Sequence, residues 1–155
     1  MAGAAGPVSA TAELVVPEER ARVWRALAVL QPYCAVCDVS YVVTGSGLRT
    51  TFVAVPGRLE GEPPPGSPVG TVTEWRPGRI VATRLDLTPE TWTTRIELAD
   101  AGTGSTRVTM TVTHQPVAGG RLARWAARRA REQLVRRTVA DELAKVPAHV
   151  AALSG

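Results

Sequence analysis

The last third of the chain, Arg121 to Leu153, limits most tightly what the rest can be. No Gly interrupts it and no Pro appears before Pro147, so it reads as one long helix. Apolar residues recur at Ala123, Ala127, Ala130 and Leu134, then at Val135, Val139, Leu143, Val146 and Val150. That is a 3.6-residue stripe turning slowly around the rod. Gly119-Gly120 sets off its start. The other face of the first half carries Arg121, Arg124, Arg128, Arg129, Arg131, Arg136 and Arg137 against Glu132 alone. This excess is larger than the net charge of +4 of the whole chain, so the remainder is slightly acidic. A helix cannot bury such a stripe against itself, and the upstream residues must supply the surface it lies on.

That surface reads as antiparallel sheet. Val8 to Val16 alternates as a strand. Pro17-Glu18-Glu19 suits a helix start, with proline in the first turn and carboxylates at the positive end of the dipole. Ala21, Trp24, Leu27 and Ala28 continue that helix to Val29, and Gln31-Pro32 stops it. Six strands follow: 35–44 and 48–55 around Gly45-Ser46-Gly47, 70–76 and 79–87 around Pro77-Gly78, then 91–99 and 106–114. The proline-rich stretch 60–68 is a loop. Trp92, Thr94, Ile96 and Leu98 oppose Thr93, Arg95 and Glu97. Val108, Met110, Val112 and His114 oppose Arg107, Thr109, Thr111 and Thr113. One dry face and one wet face is the pattern of a sheet covered on one side. The expected fold is therefore α+β: a curved seven-stranded antiparallel sheet around a long C-terminal helix, with a hydrophobic cavity between them.

At 155 residues one domain is expected, from residue 8 to 155, behind a flexible tail over residues 1–7. The start lacks a basic, apolar leader and no stretch is long enough to span a membrane, which points to a cytoplasmic protein. Lys145 is the only lysine. Such Arg-for-Lys usage, with abundant Ala, Gly and Pro, fits a GC-rich coding sequence and weakens a nucleic-acid reading of the Arg face.

Cys34 and Cys37 form a C-x-x-C, which can be a redox pair or half a zinc site. A redox pair normally opens a helix, whereas 35–43 alternates like a strand, on which positions three apart face opposite sides. Zinc needs further ligands, and the only histidines, His114 and His149, are far off in sequence. The expectation is two reduced thiols, buried or half-buried, and no metal. Asp38, Glu74 and Glu97 read as wet-face charges.

Three pieces carry a family likeness: Ala12 to Glu19 followed by Val23-Trp24-Arg25-Ala26-Leu27, the hairpin Gly70 to Val81, and the long C-terminal helix. Together they span roughly Thr11 to Leu153. The layout resembles the START-like (SRPBCC) superfamily, the helix-grip fold shared with the birch-pollen allergens, whose bacterial members are often described as polyketide cyclase/dehydrase or lipid-transport proteins. Many members carry a short second helix where only Gln31-Pro32-Tyr33 stands here, which implies a more open pocket mouth. No catalytic motif of the family matches residue by residue, so none is carried over. The resemblance implies a polyketide cyclase/aromatase-like protein, with lyase- or isomerase-type chemistry and no metal or nucleotide cofactor. The alternative is a non-catalytic carrier or sensor of a lipid-like or aromatic ligand.

No P-loop, dinucleotide fingerprint, nucleophile elbow or H-E-x-x-H occurs, so chemistry must come from isolated polar side chains facing the cavity. His114 ends the last strand in register with the apolar face, either as an imidazole exchanging protons near neutral pH or as a strand-end cap. Tyr41 points inward as pocket wall or proton donor. Arg84 shares the less apolar face of its strand and so faces water; turned inward it would bind an enolate or carboxylate, with Asp86 competing. Trp75, Trp92, Thr94, Ile96, Met110, Val112 and Leu134 are the expected ligand-binding wall, though both tryptophans would serve equally as core. The Arg face reads as solvated, or as a dock for an acidic acyl carrier protein or an anionic membrane. Without interleaved aromatics, nucleic acid is disfavoured.

Overall fold

The period-two stretches form one sheet. The computed structural model describes residues 6–87, 90–116 and 121–153, with the backbone alone over 121–126. The elements are β1 (Val8–Val16), α1 (Arg20–Ala28), β2 (Tyr33–Cys34), β3 (Val39–Thr44), β4 (Thr51–Pro56), β5 (Val69–Arg76), β6 (Ile80–Leu87), β7 (Glu90–Asp100), β8 (Thr106–Gln115), α2 (Arg121–Ala144) and α3 (Val146–Ala152). The strands run in the order β1-β8-β7-β6-β5-β4-β3-β2, every neighbour antiparallel. The sheet thus has eight strands rather than seven. The added one, β2, pairs only Tyr33 with Ser40 and Cys34 with Val39, too short to leave a periodic trace. Most of the expected tail, together with Thr88-Pro89 and Gly119-Gly120, lies outside the described residues.

The strand expected over 35–44 begins only at Val39, because residues 35–38 turn. Asp38 closes that turn in the left-handed region, at φ 53°. Its conformation is held from two sides. The Tyr33 hydroxyl donates to Asp38 Oδ1 at 2.7 Å, and the Gly57 N–H donates to the Asp38 carbonyl at 2.7 Å.

The long helix is broken once. Pro147 has no N–H to give, and its ring would meet the carbonyl of Leu143 in an unbroken helix. The chain turns at Lys145, whose N–H donates to the Glu142 carbonyl at 3.2 Å, and Pro147 falls in the first turn of α3. Val135, Val139, Leu143, Val146 and Val150 are buried against Val8, Leu98, Val108, Met110 and Val112, which makes the second half of the stripe the core. Ala127 and Ala130 are exposed instead, and Leu134 is 46% exposed. The cause lies in Arg131, whose Nη2 donates to the Gly6 carbonyl at 2.8 Å and whose Nε donates to His114 Nδ1 at 3.4 Å. These contacts put Arg131 level with the end of the β1–β8 pair, beyond which the positions 127–130 are exposed. They also remove Arg131 from the solvated face to which its spacing assigned it. Arg128, Arg129, Arg136 and Arg137 remain exposed there.

α2 lies over β1 and β8 rather than along the middle of the sheet. α1 crosses from the β1 edge towards β2 at the other edge and rests on α3, with Arg22 Nη2 donating to the Val150 carbonyl at 3.4 Å. No helix among the described residues is long and apolar enough to cross a membrane.

Candidate functional site

Because α2 covers only one side of the sheet, the inner faces of β6, β7 and β8 continue beyond it. Cross-strand register puts Leu85 beside Trp92, Thr94 beside Val112 and Ile96 beside Met110. These six side chains form one wall of a cavity of about 880 Å³. Leu134, Thr138 and Glu142 of α2, followed by Val146 and His149 of α3, form the facing wall. The end of α1 and the residues from Val29 to Cys37 make the rim, where no second helix intervenes. A concave, mainly apolar space with a few polar groups is the usual form of a small-molecule site.

The polar groups gather at the rim end. Tyr41, Cys34, Cys37, Glu142 and His149 all line it. Tyr41 rests edge-on against Phe52, ring centroids 5.8 Å apart. Burial, followed by the neighbouring Cys37, pushes its hydroxyl up to about 12, so it stays protonated at any physiological pH. Burial, then Cys34 beside it, pushes the Cys37 thiol up to about 11. Burial lowers His149 below the usual histidine value and favours the neutral ring. Glu142 is held by Lys145, whose Nζ donates to Oε1 at 3.1 Å.

The cysteines are not on opposite faces of a strand. The 35–38 turn brings both to one side, and the break at Lys145 aims His149 at them. Cys34 Sγ lies 3.9 Å from His149 Nδ1, and Cys37 Sγ lies 3.7 Å from Nε2. Both premises of the metal-free expectation therefore fail: the thiols converge, and a histidine more than a hundred residues away meets them.

Of the residues picked from sequence as catalytic, Tyr41 alone lines the cavity. His114 is buried in a polar plug at the end of β8. Its Nε2 lies 2.8 Å from Glu90 Oε2 and its Nδ1 accepts from Arg131, so the proton sits on Nε2 and both nitrogens are engaged. Trp92 leans on the ring at 4.5 Å between centroids and also hydrogen-bonds Glu90. The His114 bond, foremost, holds the Glu90 carboxyl below its usual value. Arg84 is on the outer face, 3.3 Å from Asp86, the competitor its spacing indicated. Another outer-face group joins Arg95 to Glu74 at 2.9 Å and to Glu97 at 3.0 Å. Trp92, Thr94, Ile96, Met110, Val112 and Leu134 line the cavity. Trp75 does not. A bulge between Val72 and Glu74 puts it beside Val81, and Trp24 of α1 packs on it edge-on at 5.1 Å. His149 is set aside by its distance from the cysteines in sequence, and Glu142 carries no local mark at all. The available signals were the break that Pro147 announces and a seven-residue spacing, two helical turns, between them.

No family model matches the chain, and no curated protein matches it. Solved structures do. The chain is similar to the Zhui aromatase/cyclase from Streptomyces sp. R1128 at 15% identity, with 94% of each chain covered and a TM-score of 0.68. It is similar to TTHA0849 from Thermus thermophilus at 21% identity, covering 95% of this chain and 99% of that one, with a TM-score of 0.65. Truncated norcoclaurine synthase from Thalictrum flavum matches at 12% identity over 96% and 94% of the two chains, with a TM-score of 0.63. At such identities the likeness is one of fold.

Proposed function

We propose that this chain, which has the helix-grip fold of the START-like superfamily, takes a hydrophobic small molecule into its cavity and promotes cyclisation or dehydration, as a polyketide cyclase/aromatase-like protein. The observation that carries this reading is the cavity's two unlike ends. Leu85, Trp92, Ile96, Met110 and Val112 offer a dry wall, while Tyr41 and Glu142 stand at the rim with groups able to move protons. The aromatase/cyclase among the structures of like fold supports it.

The chemistry would run as follows for a poly-β-ketone. Folding the chain against the dry wall brings an enol carbon to a distant carbonyl, and that orientation supplies most of the rate. Glu142 takes a proton from the methylene between two carbonyls. The resulting carbanion forms a carbon–carbon bond to the distant carbonyl, whose oxygen takes the Tyr41 proton as its π bond opens. A second α-proton then returns to the Tyr41 oxygen, and the hydroxyl leaves as water with the proton held by Glu142. Both residues end as they began. The exposed Arg128, Arg129, Arg136 and Arg137 on α2 suit an acidic acyl carrier protein delivering the substrate.

The test is incubation with a β-keto chain as its N-acetylcysteamine thioester, followed by mass spectrometry for loss of water. Tyr41→Phe should slow that loss by about a hundredfold or more with little change in binding. Stoichiometric binding with no chemical change would favour the second reading, a carrier of lipid-like or aromatic ligands, which the continuous apolar wall also suits.

A further inference from the structure

We propose that Cys34, Cys37 and His149 form a binding site for one zinc-like divalent cation, with a fourth coordination position open to the cavity. Three donor atoms of different residues, two thiols and an imidazole nitrogen, lie within 4.8 Å of one another. A tetrahedral zinc ion, with bonds of about 2.3 Å to sulfur and 2.0–2.1 Å to nitrogen, spans a sulfur–nitrogen edge of about 3.6 Å. The two sulfur–nitrogen separations here are 3.9 and 3.7 Å. Each sulfur faces a different ring nitrogen, and the ion needs one, so a small rotation of the imidazole completes the set.

The site is built, not accidental to a loose loop. The C-x-x-C spans the hairpin turn between β2 and β3, whose last residue, Asp38, is fixed by Tyr33 and Gly57. The turn is tied again where the Tyr41 N–H donates to the Pro32 carbonyl at 2.9 Å. On the other side, α3 is anchored through the fully buried Val146 and the buried Val150, which bracket His149.

The donor set selects the ion. Two thiolates and an imidazole suit zinc and similar borderline cations and reject calcium and magnesium, which take oxygen ligands. On binding, each thiol gives its proton to water as its sulfur–metal bond forms. Two thiolates then cancel the ion's double charge, which suits a half-buried wall where an unbalanced charge is costly. Closed structural sites have four protein ligands, whereas three with a vacancy is the catalytic arrangement. All three ligands line the cavity, so a water or a carbonyl oxygen of a bound molecule can take the fourth position and be polarised there. Glu142 and Tyr41, which line the same cavity, are the outer-sphere groups that would orient it. The inference holds whatever organic molecule the cavity takes.

The experiment is anaerobic titration of the reduced full-length protein with Co²⁺, then displacement by Zn²⁺. One equivalent should develop a thiolate-to-cobalt charge-transfer band and intense visible bands of a tetrahedral centre, and zinc should erase them. Cys37→Ser and His149→Gln should each weaken binding by more than about 100-fold. Absence of the thiolate band, or affinity within about threefold in both variants, would overturn the site. Should a variant fail to fold, zinc X-ray absorption on the unaltered protein decides. A shell with two sulfurs supports the site, and one of oxygen and nitrogen alone refutes it.

Discussion

Val135, Val139 and Leu143 sit one residue further along α2 than Leu134, Thr138 and Glu142, yet the two rows meet different surroundings. The first row is 0–7% exposed and locked against β1 and β8. The second overhangs β6 and β7 and lines the cavity. A step of one residue turns a helix by about 100°, so neighbouring rows can serve two purposes. One seals the core and the other walls a site. The inner face of the sheet is wider than the helix that grips it, and the uncovered part is the cavity. The sealed core and the cavity lining are thereby assigned to adjacent strips of one helix.

That division can be broken by paired truncations. Leu143→Ala should cost about 2–5 kcal/mol in urea unfolding, whereas Leu85→Ala, at a wall that already faces open space, should cost less than about 1 kcal/mol. Equal costs would mean that the two regions are one continuous core. Filling the space is the next largest effect. Ile96→Trp should weaken binding of the fluorescent probe anilinonaphthalene sulfonate at least about tenfold, or 1.4 kcal/mol, with the unfolding midpoint nearly unmoved. An unchanged affinity would place the probe elsewhere.

The polar plug at the end of β8 tests the edge of the sealed region. Glu90 has a depressed carboxyl value, first through its His114 hydrogen bond. Its contribution is therefore fully present above the ordinary value of 4.5 and is lost as pH falls through the lower folded value. The difference in unfolding free energy between the unaltered chain and Glu90→Gln should be at most about 1 kcal/mol at pH 7 and vanish in acid. A difference that grew on acidification would contradict the assignment. The smallest effect belongs outside both regions. Arg128→Glu with Arg129→Glu should leave stability within about 0.5 kcal/mol while reducing salt-sensitive binding of an acidic acyl carrier protein. Unaltered docking would return that face to plain solvation.

Sequence pattern carried the sheet well where strands were long and one-sided. Val108, Met110, Val112 and His114 share the buried face their alternation required. It failed where tertiary contacts overrode local rhythm. Ala35, Val36 and Val39 mimic a strand, and nothing local announces that Asp38 will adopt a positive φ. That one residue decides whether the two cysteines diverge or converge. Trp75 is turned by an unmarked bulge onto the face of Val81 and Ile96, and Trp24, from a separate element, covers it there. Inward direction was legible for His114, but its partners, Glu90 and Arg131, come from separate elements. The polar end of the cavity was the least legible part, because Tyr41, the C-x-x-C and His149 are joined only by the fold.

The pairing of β1 with β8 also governs how the molecule comes to exist. Ser9 and Thr113, 104 positions apart, share a hydrogen bond, and every rung of β1 depends on that late partner. β1 thus waits for a strand synthesised much later, while β5 to β8 can join as successive hairpins. Such distant pairing belongs to the slow, millisecond-to-second class of folding. Until β8 arrives, β1 is an unpaired ribbon with one apolar face, and its protection during synthesis is part of what this topology demands.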